Sequence, residues 1–156
     1  MAFEKAEQYL AERGYADRVQ TFAVSSATVE LAARALGTEP ARIAKSLTFL
    51  GEGTAIMVVC AGDVKVNSGK FKQHFGVKAK MLTWEQVHEM IGHDVGGVCP
   101  FGVNTDVAVY LDESLKRFDI VYPACGSDNS AVKLTPEELA ELSNSQGWVD
   151  VCVSMG

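Results

Sequence analysis

A segment with a two-residue period, followed after a short connection by an apolar run, constrains the fold more than any other feature. Residues 44–50 alternate between two faces, which is typical of a strand. The apolar residues 54–61 predict a second, buried strand. The connection between them is too short for a crossover helix, so the two strands must pair as an antiparallel hairpin. The sequence therefore predicts a sheet that contains this hairpin.

Helical and extended segments alternate along the rest of the chain. Helices are predicted at 2–13, 29–36 and 68–75 and after two capping boxes, at Thr83–Gln86 and Thr135–Glu138. Further strands are predicted at 19–24, 78–82, 107–111, 119–123, 131–134 and 149–153. No linker or repeat divides the chain, so we expect one domain spanning residues 1–156. The expected architecture is α+β, with a mixed, largely antiparallel, barrel-like sheet surrounded by helices.

Composition excludes several classes of protein. The chain has 156 residues, 47% of them hydrophobic, and its longest apolar run, residues 55–61, is too short to cross a membrane. The N-terminus lacks the basic start and apolar stretch of a secretion signal, so we expect a cytoplasmic protein. Four cysteines without a C-x-x-C pair indicate neither a zinc site nor a disulfide framework. We expect no metal and no cofactor.

Charge is distributed unevenly. The net charge of −6 argues against a protein that coats nucleic acid indiscriminately. All 20 acidic residues nevertheless lie outside residues 64–80, which carry His74 and five lysines. These lysines are Lys65, Lys70, Lys72, Lys78 and Lys80. The segment is either a solvated face or a surface that contacts phosphate groups.

Three other features have chemical potential. Lys45 shares a strand face with Leu47 and Phe49, so it is either a strand-end lysine that reaches water or a cation that holds an anion or polarises a carbonyl. The loop 96–102, with three glycines and a proline, can present backbone N–H groups to a ligand. The segment 125–130 is polar and, taken alone, indicates only a turn.

Two of the histidines have structural interpretations. His88 shares a predicted helix face with Trp84 and Ile91, which favours a core histidine. His93 directly precedes the glycine-rich loop and is the histidine best placed for catalysis. A hydrogen bond that braces the loop is the simpler role for it.

Several short motifs, taken in order, resemble the YbaK/ProX family, the free-standing relatives of the editing domain in bacterial prolyl-tRNA synthetase. They are Thr28-Val29-Glu30 with Ala35-Leu36-Gly37, Ile43-Ala44-Lys45-Ser46-Leu47, Ala61-Gly62-Asp63, residues 96–102, Val109-Tyr110-Leu111-Asp112 and Gly126-Ser127. The resemblance spans residues 20 to 153. It implies a barrel-like mixed sheet with outer helices, and hydrolysis of the ester in a mischarged aminoacyl-tRNA.

The resemblance also implies a set of site residues. Lys45 falls on the functional lysine of the family, and residues 96–100 fall on its G-x-x-x-P loop. The substrate-binding residues it implies are Ser46, Gly96, Gly97, Val98, Cys99, Pro100, Gly102, Gly126 and Ser127. The five lysines would contact tRNA phosphates. The implied substrate is a mischarged tRNA that carries a small amino acid, and tRNA-Pro is the first candidate. The resemblance also implies a synthetase, such as prolyl-tRNA synthetase, as a partner.

Two alternatives stay open. The first is a module that binds tRNA or a synthetase without hydrolysis, against which the retention of Lys45 and of the complete loop argues. The second is a thiol hydrolase in which Cys99 attacks the ester and His93 acts as the base. That mechanism requires contact between the two side chains and a lowered thiol pKa.

Overall fold

The predicted hairpin is the centre of the fold. In the computed structural model, which describes residues 2–93, 97–104 and 106–155, strand β2 (Ile43–Leu50) pairs antiparallel with β3 (Ala55–Ala61). The register joins Ala44 to Ala61 at one end and Leu50 to Ala55 at the other. Every residue of β3 is buried, so the apolar run is a central strand as predicted.

Short strands extend this hairpin on both sides. The central sheet also contains β5 (Ala108–Asp112), β6 (Tyr122–Pro123) and β8 (Trp148–Val149), each parallel to its neighbour, in the order β6, β2, β3, β5, β8. Two antiparallel pairs join β1 (Val19–Thr21) to β7 (Ser130–Val132) and β4 (Val64–Val66) to β9 (Cys152–Ser154). The β2–β3 ladder is the longest of all, so most paired residues are antiparallel. The predicted α+β class with a mixed, largely antiparallel sheet is confirmed.

The helices begin and end close to the predicted positions. They are α1 (Ala2–Ala11), α2 (Val29–Leu36), α3 (Ser68–Phe75), α4 (Trp84–Gln86, continued by a π-helical segment at Val87–Ile91) and α5 (Pro136–Leu142). Short 3₁₀ turns lie at Ala16–Arg18, Pro40–Arg42 and Glu113–Arg117. Both predicted capping boxes form, Thr83 with Gln86 and Thr135 with Glu138. Helix α3 packs on β2 through Phe71, whose ring centroid lies 4.7 Å from that of Phe49.

The strand predicted at 78–82 is wrong. Only Met81 bridges to Phe49, while Leu50 N donates to Lys80 O and Leu82 N donates to Thr48 O. The segment therefore caps the end of β2 instead of running beside its whole length.

The predicted burial of the helix face that carries Trp84 and His88 is also wrong. Val87 and Ile91 are buried, whereas Trp84 and His88 are exposed. The buried stripe is narrower than predicted and is confined to Val87 and Ile91, the first and last residues of the π-helical segment.

Asp112 fixes the end of the central sheet. Its buried carboxylate accepts hydrogen bonds from Ser114 N at 2.9 Å and from Val151 N at 3.0 Å. The side chain therefore joins the end of β5 both to the following 3₁₀ turn and to the chain just before β9. A buried backbone N–H that loses its acceptor costs about 1 to 3 kcal/mol.

We expect Asp112→Ala to lower the free energy of unfolding by roughly 2 to 4 kcal/mol, because two backbone donors lose their acceptor. Urea denaturation measures the change. The control is Asp150→Ala, which removes an exposed carboxylate 3.1 Å from Lys70 Nζ and should cost less than about 1 kcal/mol. Equal losses in the two variants would contradict the structural role of Asp112.

Candidate active site at the interrupted edge of β2

The outer edge of β2 is paired at both ends and open in the middle. Strand β6 pairs only with Ile43 and Ala44, and the segment 80–82 pairs from Thr48 onward. Thr48 directs its carbonyl away from β3 toward Leu82. Alternate residues of a strand direct their backbone groups to the same edge, so the N–H and C=O of Ser46 face the gap.

A cavity of about 330 Å³ lies at this gap. It is lined by residues 26–29 and Ala32, by residues 43–48, by Met81, Leu82, Val87 and Val98, and by Tyr122, Ala124, Ser130 and Ala131. Most of these residues are apolar and many are small. Lys45 is the one charged residue among the described lining residues.

Lys45 is half-buried at the edge of the cavity. Its Nζ donates to Met155 Sδ at 3.7 Å and forms no ion pair with any described carboxylate. Asp63 is held instead by Arg117, whose guanidinium donates two hydrogen bonds to it and lowers the pKa of that carboxyl. A thioether is a weak acceptor, so the ammonium retains the capacity to bind an anionic or carbonyl oxygen.

Two buried hydroxyls lie in the cavity wall. Ser26 Oγ and Ser46 Oγ are shielded from water and have no hydrogen-bond partner among the described residues. Leaving such a group unpaired costs free energy that a bound ligand with complementary polar atoms recovers.

A third lining hydroxyl is oriented by the polar turn. Ser127 Oγ donates to Asn129 Oδ1 at 2.9 Å, so Ser130 Oγ donates to Ser127 Oγ at 2.6 Å. The oxygen of Ser130 then has acceptor capacity left for the cavity it lines. Ser127 therefore reaches the cavity through Ser130.

The glycine-rich loop rests on the turn at Gly126. A Cβ atom at Gly97 would lie 2.6 Å from the carbonyl carbon of Gly126, so only glycine allows this approach. Gly126 itself has a φ of +80° and lies against the backbone of Ala2, where a Cβ atom would also clash. The packing positions Val98 in the cavity wall. Gly96 lies outside the described residues.

The C-terminal part of the loop faces a different region. Pro100 and Gly102 line a separate cleft with Tyr9, Arg13 and Asn104. The structure therefore brings Lys45, Ser46 and Val98 together at the cavity. It places the remaining described loop residues behind that wall.

Cys99 is buried behind the cavity wall, beside His93. Its Sγ lies 3.6 Å from His93 Nε2 and 3.7 Å from the carbonyl oxygen of Phe101. Burial raises the pKa of the Cys99 thiol above its ordinary value. The carbonyl of Phe101 accepts at 2.7 Å, so His93 Nε2 carries the proton and braces the loop, as predicted. The thiol-hydrolase alternative has the required contact without the lowered pKa.

The five lysines do not share one environment. Lys70 Nζ donates to Asp150 Oδ1 at 3.1 Å and to the carbonyl of Cys152 at 3.2 Å. Lys65 on β4 and Lys72 on α3 are exposed. Lys78 and Lys80 are exposed in the segment that leads directly into Met81 at the cavity.

Sequence reasoning missed Ser26, Ser130 and Met155. The two serines flank predicted elements, and no period marks them as neighbours of one cavity. Met155 reaches Lys45 because β9 pairs with β4, which brings together residues 110 positions apart. In the sequence, Ser26 and Ser130 are each followed by an alanine. This neighbourhood of a polar and a small residue was the one local feature that could have indicated a place in a cavity wall.

The described residues contain neither a membrane-spanning helix nor a metal-ligating cluster. No helix there is long and apolar enough to cross a membrane. No group of three or more histidine, cysteine, aspartate or glutamate side chains in those residues could hold a metal ion.

Comparison with known proteins gives a consistent result. The aminoacyl-tRNA editing domain family matches residues 24–142. The protein YwhH of Bacillus subtilis, which is uncharacterized, is 51% identical over 153 residues, covering 97% of this chain and 98% of that protein. A candidate Cys-tRNA(Pro)/Cys-tRNA(Cys) deacylase of Enterococcus faecalis, EbsC, is 27% identical over 121 residues, covering 76% and 74%. The crystal structure of a candidate trans-editing enzyme for prolyl-tRNA synthetase superimposes with a TM-score of 0.88 at 33% identity, covering 99% and 98%.

The chain belongs to the aminoacyl-tRNA editing domain family. Domains of this family release the amino acid from a mischarged tRNA, so the protein is an aminoacyl-tRNA deacylase, an ester hydrolase. The predicted resemblance to the YbaK/ProX family is confirmed.

We expect Cys99→Ala to keep most of the deacylase activity, because the thiol is buried behind the cavity and its pKa is raised. Cys125→Ala is the matched control, since burial also raises the pKa of Cys125, to about 12. Single-turnover deacylation and mass spectrometry of the intact protein measure the outcome. Abolished turnover in a folded Cys99→Ala protein, with an acyl adduct on wild-type Cys99, would establish the thiol mechanism instead.

Proposed function

We propose that the cavity at the β2 gap binds the aminoacyl ester of a mischarged tRNA and that Lys45 promotes its hydrolysis by water. The observation that supports this most directly is that Lys45 carries the one charge among the described residues that line the cavity. A preorganised ammonium beside the reacting carbonyl stabilises the oxyanion that develops there, and no other charge among the described lining residues competes for it.

The cavity suits a small amino acid. Five alanines, at positions 27, 32, 44, 124 and 131, contribute to its lining. Its volume of about 330 Å³ lies at the lower end of the range for small-molecule sites. A larger side chain would compete for the space that the ester and the attacking water need.

The unpaired hydroxyls give the substrate polar contacts. Ser26 and Ser46 can accept from the α-ammonium of the amino acid or donate to the ester oxygens, and Ser130 can accept. The backbone N–H of Ser46, which faces the gap, is a further donor for the oxyanion. We assign Val98 to the wall itself, and the loop and turn residues Gly97, Cys99, Gly126 and Ser127 to supporting it from behind. Pro100 and Gly102, which line the separate cleft, are assigned to fixing the course of the loop.

The proposed reaction is a hydrolysis. Water adds to the ester carbonyl, and Lys45 stabilises the negative charge that develops on its oxygen. The bond between the carbonyl carbon and the ribose oxygen then breaks. The ribose hydroxyl leaves with one proton from the water, and the amino acid leaves as a carboxylate with release of the other proton.

The tRNA is proposed to be tRNA-Pro, with prolyl-tRNA synthetase as a partner. The supporting observation is similarity to a candidate trans-editing enzyme for that synthetase and to a candidate deacylase of Cys-tRNA(Pro). We expect the protein to act in the cytoplasm, where the synthetase charges the tRNA. A panel of mischarged tRNAs, each assayed with and without the synthetase, tests both assignments.

We expect Lys45→Ala to lower kcat for deacylation by roughly 10²-fold, because a preorganised electrostatic contact to the oxyanion is lost. Single-turnover assays on a mischarged tRNA measure it. Lys116→Ala, which removes an exposed cation paired with Glu113, should leave kcat unchanged. Near-normal kcat in a folded Lys45→Ala protein would exclude Lys45 from the reaction.

We propose that Lys65, Lys70, Lys72, Lys78 and Lys80 attract tRNA phosphates, with Lys78 and Lys80 closest to the reacting end. Lys80→Gln should weaken the binding of tRNA. It should also reduce the slope of log K against log salt concentration by about 0.7 to 0.9, because the protein contacts one phosphate fewer and so releases fewer counterions. Lys116→Gln is the control and should leave the slope unchanged, because Lys116 lies outside the lysine-rich segment and is paired with Glu113. Filter binding over a range of salt concentrations tests this, and equal slopes for Lys80→Gln and the wild type would exclude a phosphate contact.

A further inference from the structure

Two large apolar side chains are exposed in the segment 81–84, which adjoins the cavity. Trp84 is 69% exposed and Met81 is 57% exposed. Met81 lines the cavity, and the two residues on either side of the Thr83–Gln86 capping box, Leu82 and Val87, line it as well. Trp84 therefore lies in a short segment between two residues of the cavity wall, and its own side chain is exposed to solvent.

The exposure of Trp84 is a consequence of rigid local structure. Thr83 and Gln86 form both hydrogen bonds of the capping box, at 2.8 Å and 3.3 Å, which fixes the first turn of α4. Val87 and Ile91 use the buried side of the helix. The backbone that carries the indole is therefore ordered before a flat partner stacks on the ring, and only the side chain remains to be ordered.

The charge around this pair favours a nucleic acid partner. Lys78 and Lys80 are exposed in the preceding segment, and no acidic residue occurs between position 64 and Trp84. Proteins that bind unpaired nucleotides combine cations for the backbone with aromatic side chains on which bases stack. The same combination occurs here within seven residues, 78–84.

We propose that Trp84, with Met81 beside it, is the platform on which the terminal base of the unpaired 3′ end of the substrate tRNA stacks. This inference rests on the proposed function, because the ester that enters the cavity is carried by the ribose of that same terminal nucleotide. The base must therefore lie within one nucleoside length of the cavity. Met81, three residues before Trp84, lines the cavity and places the start of α4 beside it.

The first test compares two substrates of the wild type, Trp84→Ala and Trp84→Phe. One is the mischarged tRNA that the wild type deacylates fastest, and the other is the ethyl ester of the same amino acid, which has no base. Loss of one stacked base is worth about 1 to 3 kcal/mol, so Trp84→Ala should reduce kcat/KM for the tRNA by roughly 5- to 150-fold. Trp84→Phe should retain most of it. Hydrolysis of the ethyl ester should be the same in all three proteins.

The second test uses binding and does not depend on hydrolysis. Uncharged tRNA should quench the fluorescence of Trp84, and the same tRNA lacking its terminal adenosine should quench it much less. Trp84→Phe, which retains Trp148, supplies the background signal. Equal quenching by the two tRNAs, or equal losses on both substrates in Trp84→Ala, would overturn the platform. A wild type that shows the adenosine-dependent quenching but deacylates no mischarged tRNA would refute the proposed function and leave the platform supported.

Discussion

The interrupted pairing of β2 is the constraint on which the site depends. The strand is fixed along its whole length by β3, but its other edge is paired only at Ile43 and Ala44 and again from Thr48. If this edge were fully paired, there would be no room for the cavity. If it were not paired at all, nothing would hold the segments that form the other walls of the cavity against β2. The rigid ladder with β3 therefore holds Lys45 and Ser46 in place beside an opening of fixed width.

In the proposed function, the polar groups at this opening give a largely apolar cavity its preference for an ester substrate. A single ammonium and a few hydroxyls are held by a wall of small side chains, and Ser26 and Ser46 have no described partner of their own. Such groups destabilise the empty protein slightly and are satisfied when a polar ligand binds. Cys99 is not among the residues that line the cavity, and burial raises the pKa of its thiol.

Local patterns in the sequence predicted the parts of the structure that depend on local physics. Local patterns predicted the hairpin of β2 and β3 and both capping boxes. They were sufficient there because the residues that interact are also close together in the sequence. The contact between Lys45 and Met155, 110 residues apart, depends on strand pairing that no local pattern records. The capping box around Trp84 was predicted, but the exposure of the Trp84 side chain depends on tertiary packing, which the helical period cannot indicate. The role of Lys45 came from family resemblance and stays a prediction.

The most direct measurement is a crystal structure of the protein with adenosine that carries a small amino acid through a 3′ amide bond, which cannot be hydrolysed as the ester can. The account predicts that the aminoacyl group lies at the β2 gap, with its carbonyl oxygen within hydrogen-bond distance of Lys45 Nζ. The side chain should contact the alanines of the cavity. An aminoacyl group bound instead in the cleft of Tyr9, Arg13 and Asn104 would contradict the account.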